Sequence, residues 1–134
     1  MRESNLDILL KNMKPFLHDD TYVFLTSTTG FSQEEKNKSI MVFKETEGET
    51  LIIKEVLITA NNSANKDIWA MITLTIHSDL NAVGFLAVIT SKLAKKGLPV
   101  NAVSAFYHDH LFVPWNQKHN AINSLREIQV NEID

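Results

Sequence analysis

Cysteine is absent from the chain. Disulfides, thiolate metal sites and thiol nucleophiles go with it, and the absence fits a reducing compartment. Glycine is scarce, with 4 residues in 134. No P-loop and no dinucleotide-binding glycine fingerprint can be assembled from them. No apolar run approaches the roughly 20 residues that a membrane-spanning helix needs. Behind Met1-Arg2-Glu3-Ser4-Asn5 comes an amphipathic segment rather than the apolar core of a signal peptide. A basic excess is also missing: the formal net charge is −3, whereas a duplex-binding domain usually carries a basic stripe. The densest cluster, Lys92, Lys95 and Lys96, sits where positive charge complements a helix C-terminus. These absences predict a soluble, cytoplasmic protein with no nucleic-acid partner and no membrane partner.

What is present is ordinary globular material, 44% apolar and 22% charged. A chain of this length buries about two-thirds of its unfolded surface and needs no staples. Leu6, Ile8, Leu9, Leu10 and Met13 recur at helical spacing and predict a short helix ended by Pro15. Tyr22 to Ser27 is β-branched and aromatic, a strand. Thr28 to Ser39 is polar, a loop or short exposed helix. Ile40 to Glu45 and Thr50 to Lys54 form a hairpin about Glu47-Gly48-Glu49, with Gly48 free to take positive φ. Glu55 to Ala60 predicts a short helix, and polar Asn61 to Lys66 a linker.

The second half is more regular. Ala70 to Ser78 alternates, placing Ile72, Leu74 and Ile76 on one face and Thr73, Thr75 and His77 on the other, a strand buried on one side. Ser78 or Asp79 is placed to cap a helix from Asp79 to Lys96, which Gly97 and Pro99 end. Strand-like runs follow at Val100 to Tyr107 and Leu111 to Val113. A last helix, roughly Gln117 to Ile128 with Asn116 as its cap, buries Ala121, Ile122, Leu125 and Ile128, and Gln129 to Val130 could complete the sheet. The order β-α-β-β-α gives a split βαβ sheet with helices on one face. The first half echoes the same order. The predicted fold is therefore α+β, ferredoxin-like βαββαβ, with two halves packed as a pseudo-tandem. Residues 1–66 form a degenerate N-terminal half and residues 67–134 the C-terminal domain.

The segment His77-Ser78-Asp79-Leu80-Asn81-Ala82-Val83-Gly84, its apolar helix, and Leu98-Pro99-Val100-Asn101-Ala102-Val103-Ser104 resemble the ACT domain, a regulatory module that binds amino acids in many metabolic enzymes. Gly84 and Asn101 match the family's glycine at the first helix and asparagine near the second strand. Ala105 to Pro114 and Phe43 to Leu51 are similar to a group of small free-standing bacterial proteins with two ACT-like halves and no established function. The first half departs from the pattern: Phe31 to Ser39 is short and polar, and no glycine-started binding loop is evident.

A strand running into a helix N-terminus presents unpaired N–H groups and positive dipole, which suit a carboxylate. Gly84 permits close approach, and Asp79 or Asn81 could receive an ammonium. The competing reading is structural, with Asp79 as a cap and Gly84 allowing tight packing. The resemblance implies a ligand site at Ser78, Asp79, Leu80, Asn81, Val83 and Gly84, bordered by Asn101, Val103 and Ser104. Plain sheet pairing is the competing reading for the last three. His108 and His110, two apart on an extended chain, point to one side and could share a metal with His77, His119 or Asp109. No third ligand is secured, so no metal and no cofactor is expected. His77 beside Ser78 or Ser104 lacks the glycine-flanked turn of a nucleophile. Asp19-Asp20 and Glu34-Glu35 read as solvated turn residues, and Trp69, Trp115, Phe106, Tyr107 and Phe112 as core and edge packing, with a subunit interface as the alternative. The expectation is a non-enzymatic regulatory protein that binds an amino-acid-like small molecule and forms a homo-oligomer, most simply a dimer. The alternatives are a protein-interaction module with a vestigial ligand site, which regulates a partner by contact, and a metal enzyme built on His108, Asp109 and His110.

Overall fold

The apolar spacing of Leu6, Leu9 and Leu10 forms helix α1, Leu6–Lys11, started by the Asn5 side chain, which accepts the Ile8 N–H at 3.2 Å. The computed structural model describes residues 5–58 and 67–131. After α1 come β1 (Pro15–Ser27), α2 (Gln33–Lys38), β2 (Met41–Lys44), β3 (Glu49–Lys54), β4 (Trp69–Leu74), α3 (Phe85–Lys95), β5 (Asn101–Ser104), β6 (Asp109–Pro114) and α4 (Lys118–Asn131). They divide into two units, one of Met1–Asp19 with Ala70–Asp134 and one of Asp20–Trp69. The α+β content and the ferredoxin-like order are as the hydrophobic pattern predicts. The predicted linker Asn61 to Lys66 lies outside the described residues, and Glu55 to Leu57 is a single 3₁₀ turn.

In the larger unit the strands run β1–β4–β6–β5. Helices α1, α3 and α4 pack on one another and cover this sheet. Leu9, Ile72, Leu74, Ile89, Leu93, Leu111 and Leu125 are fully or almost fully buried in the shared core. Two expectations are corrected here. Gln129 and Val130 are not a closing strand, because α4 continues through them to Asn131: Ile128 extends its buried stripe, and the Gln129 amide donates to the Lys11 carbonyl at 2.8 Å. The sheet position beside β4 belongs instead to β1, which starts at Pro15 rather than Tyr22. Proline is tolerated as the first residue of a strand, so Pro15 ends one element and opens the next. Asp19 and Asp20 are thus exposed strand residues, and Glu34-Glu35 form the first turn of α2.

Strand β4 is also buried on both faces, since Thr73 keeps only 7% of its surface exposed. Its hydroxyl lies 2.7 Å from His18 Nε2 and 2.9 Å from His110 Nδ1, and His108 is the next ring along, its centroid 6.4 Å from that of His110. A threonine hydroxyl bridging two imidazoles satisfies a polar group that a one-sided strand would have given to water.

The smaller unit contains β2–β3–β1 with antiparallel registers Val42↔Leu51 and Phe24↔Ile52. Val23, Leu25, Leu51 and Ile53 form its core, against Phe31. Helix α2 buries nothing; it is held by a reciprocal capping box between Ser32 and Glu35. The hairpin turn falls at Gly48 as its sequence predicts, with φ +156°. A Cβ there would run into the Ser27 carbonyl oxygen and stand 2.9 Å from the Thr28 Cα.

Two outcomes follow from this packing. Gly48→Ala places a methyl against backbone that cannot rotate away, and should cost about 1–3 kcal/mol in denaturant unfolding. Burial, then the nearby His108 and His18 imidazoles, hold His110 below the usual histidine range, opposed by the smaller effect of the Asp109 carboxylate. Protonation therefore favours the unfolded chain. This contribution to stability should be complete above the unfolded value of about 6.5 and fall away as the pH drops below it. Melting temperatures from pH 8 to pH 5 should decline, and His110→Gln should flatten the decline.

Candidate functional site

Between β4 and α3 the chain does not do what its capping signals suggest. Helix α3 begins at Phe85, not Asp79, and its N-cap is Gly84 at φ +89°, a left-handed conformation that suits glycine. The Asp79 side chain turns inward to the loop instead, where Oδ1 accepts the Asn81 N–H at 2.8 Å, and the Asp79 carbonyl accepts the Ala82 N–H at 2.9 Å. These turns use up the polar residues expected to cap. Gly84 has no side chain to replace them, so the first-turn N–H groups of Phe85, Leu86 and Ala87 receive no side-chain cap. A Cβ on Gly84 would meet only the Leu6 side chain, at 3.6 Å, so conformation rather than space calls for glycine here.

This uncapped end opens into a cleft of about 150 Å³. Of the predicted residues, Ser78, Asp79, Leu80, Gly84 and Ser104 line it, together with Ala82, Phe85, Leu86, Ala87 and Asp109. Asn81, Val83, Asn101 and Val103 do not line it. Val83 is 83% exposed, and Asn101 and Val103 pair with Phe112 and His110 across the β5–β6 hairpin. Leu80 is exposed at the mouth.

In the sequence Asp109 reads as a turn residue or metal ligand; the structure gives it another place. It is the first residue of β6, opposite Ser104, and only 6% exposed. Its Oδ2 accepts the Ser78 hydroxyl at 3.1 Å. Alternation along β6 explains why: Asp109 shares a face with the core residues Leu111 and Val113, while His108 and His110 point to the opposite face. A carboxylate in phase with buried leucine and valine was the available signal. The same alternation separates His108, Asp109 and His110, and no group of three potential metal ligands occurs among the described residues.

Ser78 has Asp109, not a histidine, as its partner. His77 lies among the rings of Phe106 and Tyr107, 6.2 and 5.7 Å away between centroids, and its buried Nε2 has no hydrogen-bond partner among the described residues. Phe106 and Tyr107 are more than half exposed at the hairpin tip, where their rings meet each other and His77, whereas Phe112 is buried and Trp115 stacks under the Lys118 ammonium.

The first half has the same place, differently filled. Glu49 is the first residue of β3, opposite Lys44, as Asp109 is the first of β6, opposite Ser104. Its Oε1 accepts the Phe31 N–H at 2.8 Å just before α2, and its Oε2 lies 3.0 Å from the Lys36 ammonium. The Phe31 N–H, then Lys36, hold the Glu49 carboxyl below the usual carboxylate range. That half supplies its own charges, whereas the cleft in the second half has an open helix end and a carboxylate with one hydroxyl partner.

Comparisons with known proteins agree with this internal repeat. Two family models, each described as an ACT domain, match residues 2–65 and 66–127. A Vibrio cholerae protein of unknown function, described as a possible transport protein, is 34% identical over 90% of this chain and 92% of its own, with a TM-score of 0.78. An Agrobacterium tumefaciens protein is 14% identical over 81% of both chains, at a TM-score of 0.66. The regulatory subunit of aspartate kinase from Thermus flavus has the same fold at 8% identity, covering 85% of this chain and 95% of its own, at 0.61. No curated protein matches the chain. With two ACT models spanning nearly all of it and a relative one-third identical along its length, the chain belongs to the ACT domain family.

Proposed function

We propose that this is a non-catalytic regulatory protein of ACT type, whose second half binds a small amino-acid-like ligand in the cleft at the start of α3. The two repeats occupy residues 1–66 and 67–134, and the protein acts in the cytoplasm as a homo-oligomer, most simply a dimer. The observation that carries the ligand reading is the uncapped first turn of α3 opening into a cleft. Three N–H groups and the positive end of an eleven-residue helix favour a carboxylate there. Ser78, Asp79, Leu80, Gly84 and Ser104 shape the cleft. Asn81 fixes its loop through Asp79, Val83 leads into Gly84, and Asn101 and Val103 seat the strand that carries Ser104.

A ligand regulates only through its difference in affinity for two arrangements of the protein. The loop 75–84 suits that role: it lies between a buried strand and a helix, and few of its side chains are buried. Occupying the cleft would bias that loop, and with it the exposed Phe106–Tyr107 tip, which contacts it through His77.

The reading is tested by thermal shift against the amino acids. A ligand that binds only the folded protein should add about 2.7 kcal/mol at a hundredfold excess over its dissociation constant. A selective shift supports the reading, and a flat screen on folded protein opposes it. Gly84→Ala forces an ordinary residue into a left-handed conformation. It should cost about 1–2 kcal/mol and weaken the responding amino acid by moving the first-turn N–H groups, whereas Val83→Ala should do neither.

A further inference from the structure

We infer that Asp109, rather than Asp79 or Asn81, takes the ammonium of the amino-acid-like ligand. This rests on the ligand reading proposed above. Three observations carry it. First, Asp109 is 94% buried (6% exposed) and lines the cleft. Its carboxylate has one hydrogen-bond partner among the described residues, the neutral Ser78 hydroxyl. A buried carboxylate without a cation is costly, and the structures that tolerate one generally supply the cation.

Second, the repeat shows what this position does when it is satisfied. Glu49, at the equivalent first position of β3, holds the Lys36 ammonium at 3.0 Å. Lys36 is the fourth residue of α2, and the fourth residue of α3 is Val88, so the second half has no cation to offer from that place. The two halves thus share a carboxylate and differ in whether a lysine of the chain answers it. Third, the residues first expected to receive an ammonium are less well placed: Asn81 does not line the cleft, and Asp79, which does, is only partly buried and gives Oδ1 to the Asn81 N–H, so solvent screens an ion pair there more than at buried Asp109. Asp109 and the uncapped turn of α3 face one small space, which would read the two ends of one small zwitterion.

Two experiments on the full-length protein separate this inference from the reading beneath it. The first compares three probe series by thermal shift and calorimetry: the amino acids, simple carboxylates such as propionate, and simple amines such as propylamine. In Asp109→Asn, which still accepts the Ser78 hydroxyl, amino acids should bind at least about tenfold more weakly than in the wild type. Propionate should bind unchanged, and Asp79→Asn should shift amino-acid affinity by less than about threefold. Unchanged amino-acid affinity in folded Asp109→Asn overturns the assignment. A wild-type protein silent to every probe overturns the ligand site as a whole, and this role of Asp109 with it.

The second experiment needs no ligand. Ala87 lines the cleft, so Ala87→Lys brings an ammonium into it from α3, as Lys36 does from α2. The melting temperature should rise, or fall less, when Asp109 is present than in the Ala87→Lys, Asp109→Asn double variant. Equal effects of Ala87→Lys in both backgrounds show that Asp109 does not accept a cation and overturn the inference.

Discussion

The uncapped start of α3 is the constraint on which the rest of this site depends. A helix cannot satisfy its own first N–H groups; a side chain, a water or a ligand must do so. Here Gly84 takes the cap position with φ +89° and nothing to offer, while Asp79, the residue best equipped to cap, is turned back on its own loop. The cost of that arrangement is a less stable helix end. Its product is a set of uncapped donors at a cleft that a buried carboxylate also lines.

The two repeats read as one plan executed twice. In the first, short α2 is stabilised by its own capping box, and Glu49 is occupied by the Phe31 N–H and the Lys36 ammonium. That half is electrostatically complete. In the second, the helix is longer and apolar, so its stability comes from packing against α1, α4 and the sheet rather than from its cap. Burial of Phe85, Ile89 and Leu93 holds the helix without a side-chain cap at its N-terminus. The contrast between a capped and an uncapped copy follows from those differences in sequence.

Much of the fold was legible because local signals and tertiary needs agreed. The β2–β3 hairpin was found from Glu47-Gly48-Glu49, where the turn and the close backbone approach both call for glycine. Helix α4 was found from Ala121, Ile122, Leu125 and Ile128, all buried. The misses came where a local signal had two meanings. Pro15 follows α1 and also begins β1, hiding the first seven of that strand's 13 residues and with them the occupant of the sheet position left open for Gln129 and Val130. Ser78 and Asp79 carry the side chains that most often cap a helix, yet the Ser78 hydroxyl goes to Asp109 and the Asp79 carboxylate to its own loop. Five of the nine expected site residues line the cleft; the donors of Phe85, Leu86 and Ala87 are backbone and leave no mark in the residue types. The phase of Asp109 with Leu111 and Val113 marks it as inward-facing, a signal that the flanking His108 and His110, which belong to the opposite face, obscure.

The most direct test of the account is an amide titration by heteronuclear NMR, using the amino acid that most stabilises the protein. The account predicts that the N–H resonances of Phe85, Leu86 and Ala87 move together along one saturable curve, because they are the donors that receive the carboxylate. If the protein binds the amino acid while those three amides stay still and others move, the start of α3 is not the binding site and the account is wrong.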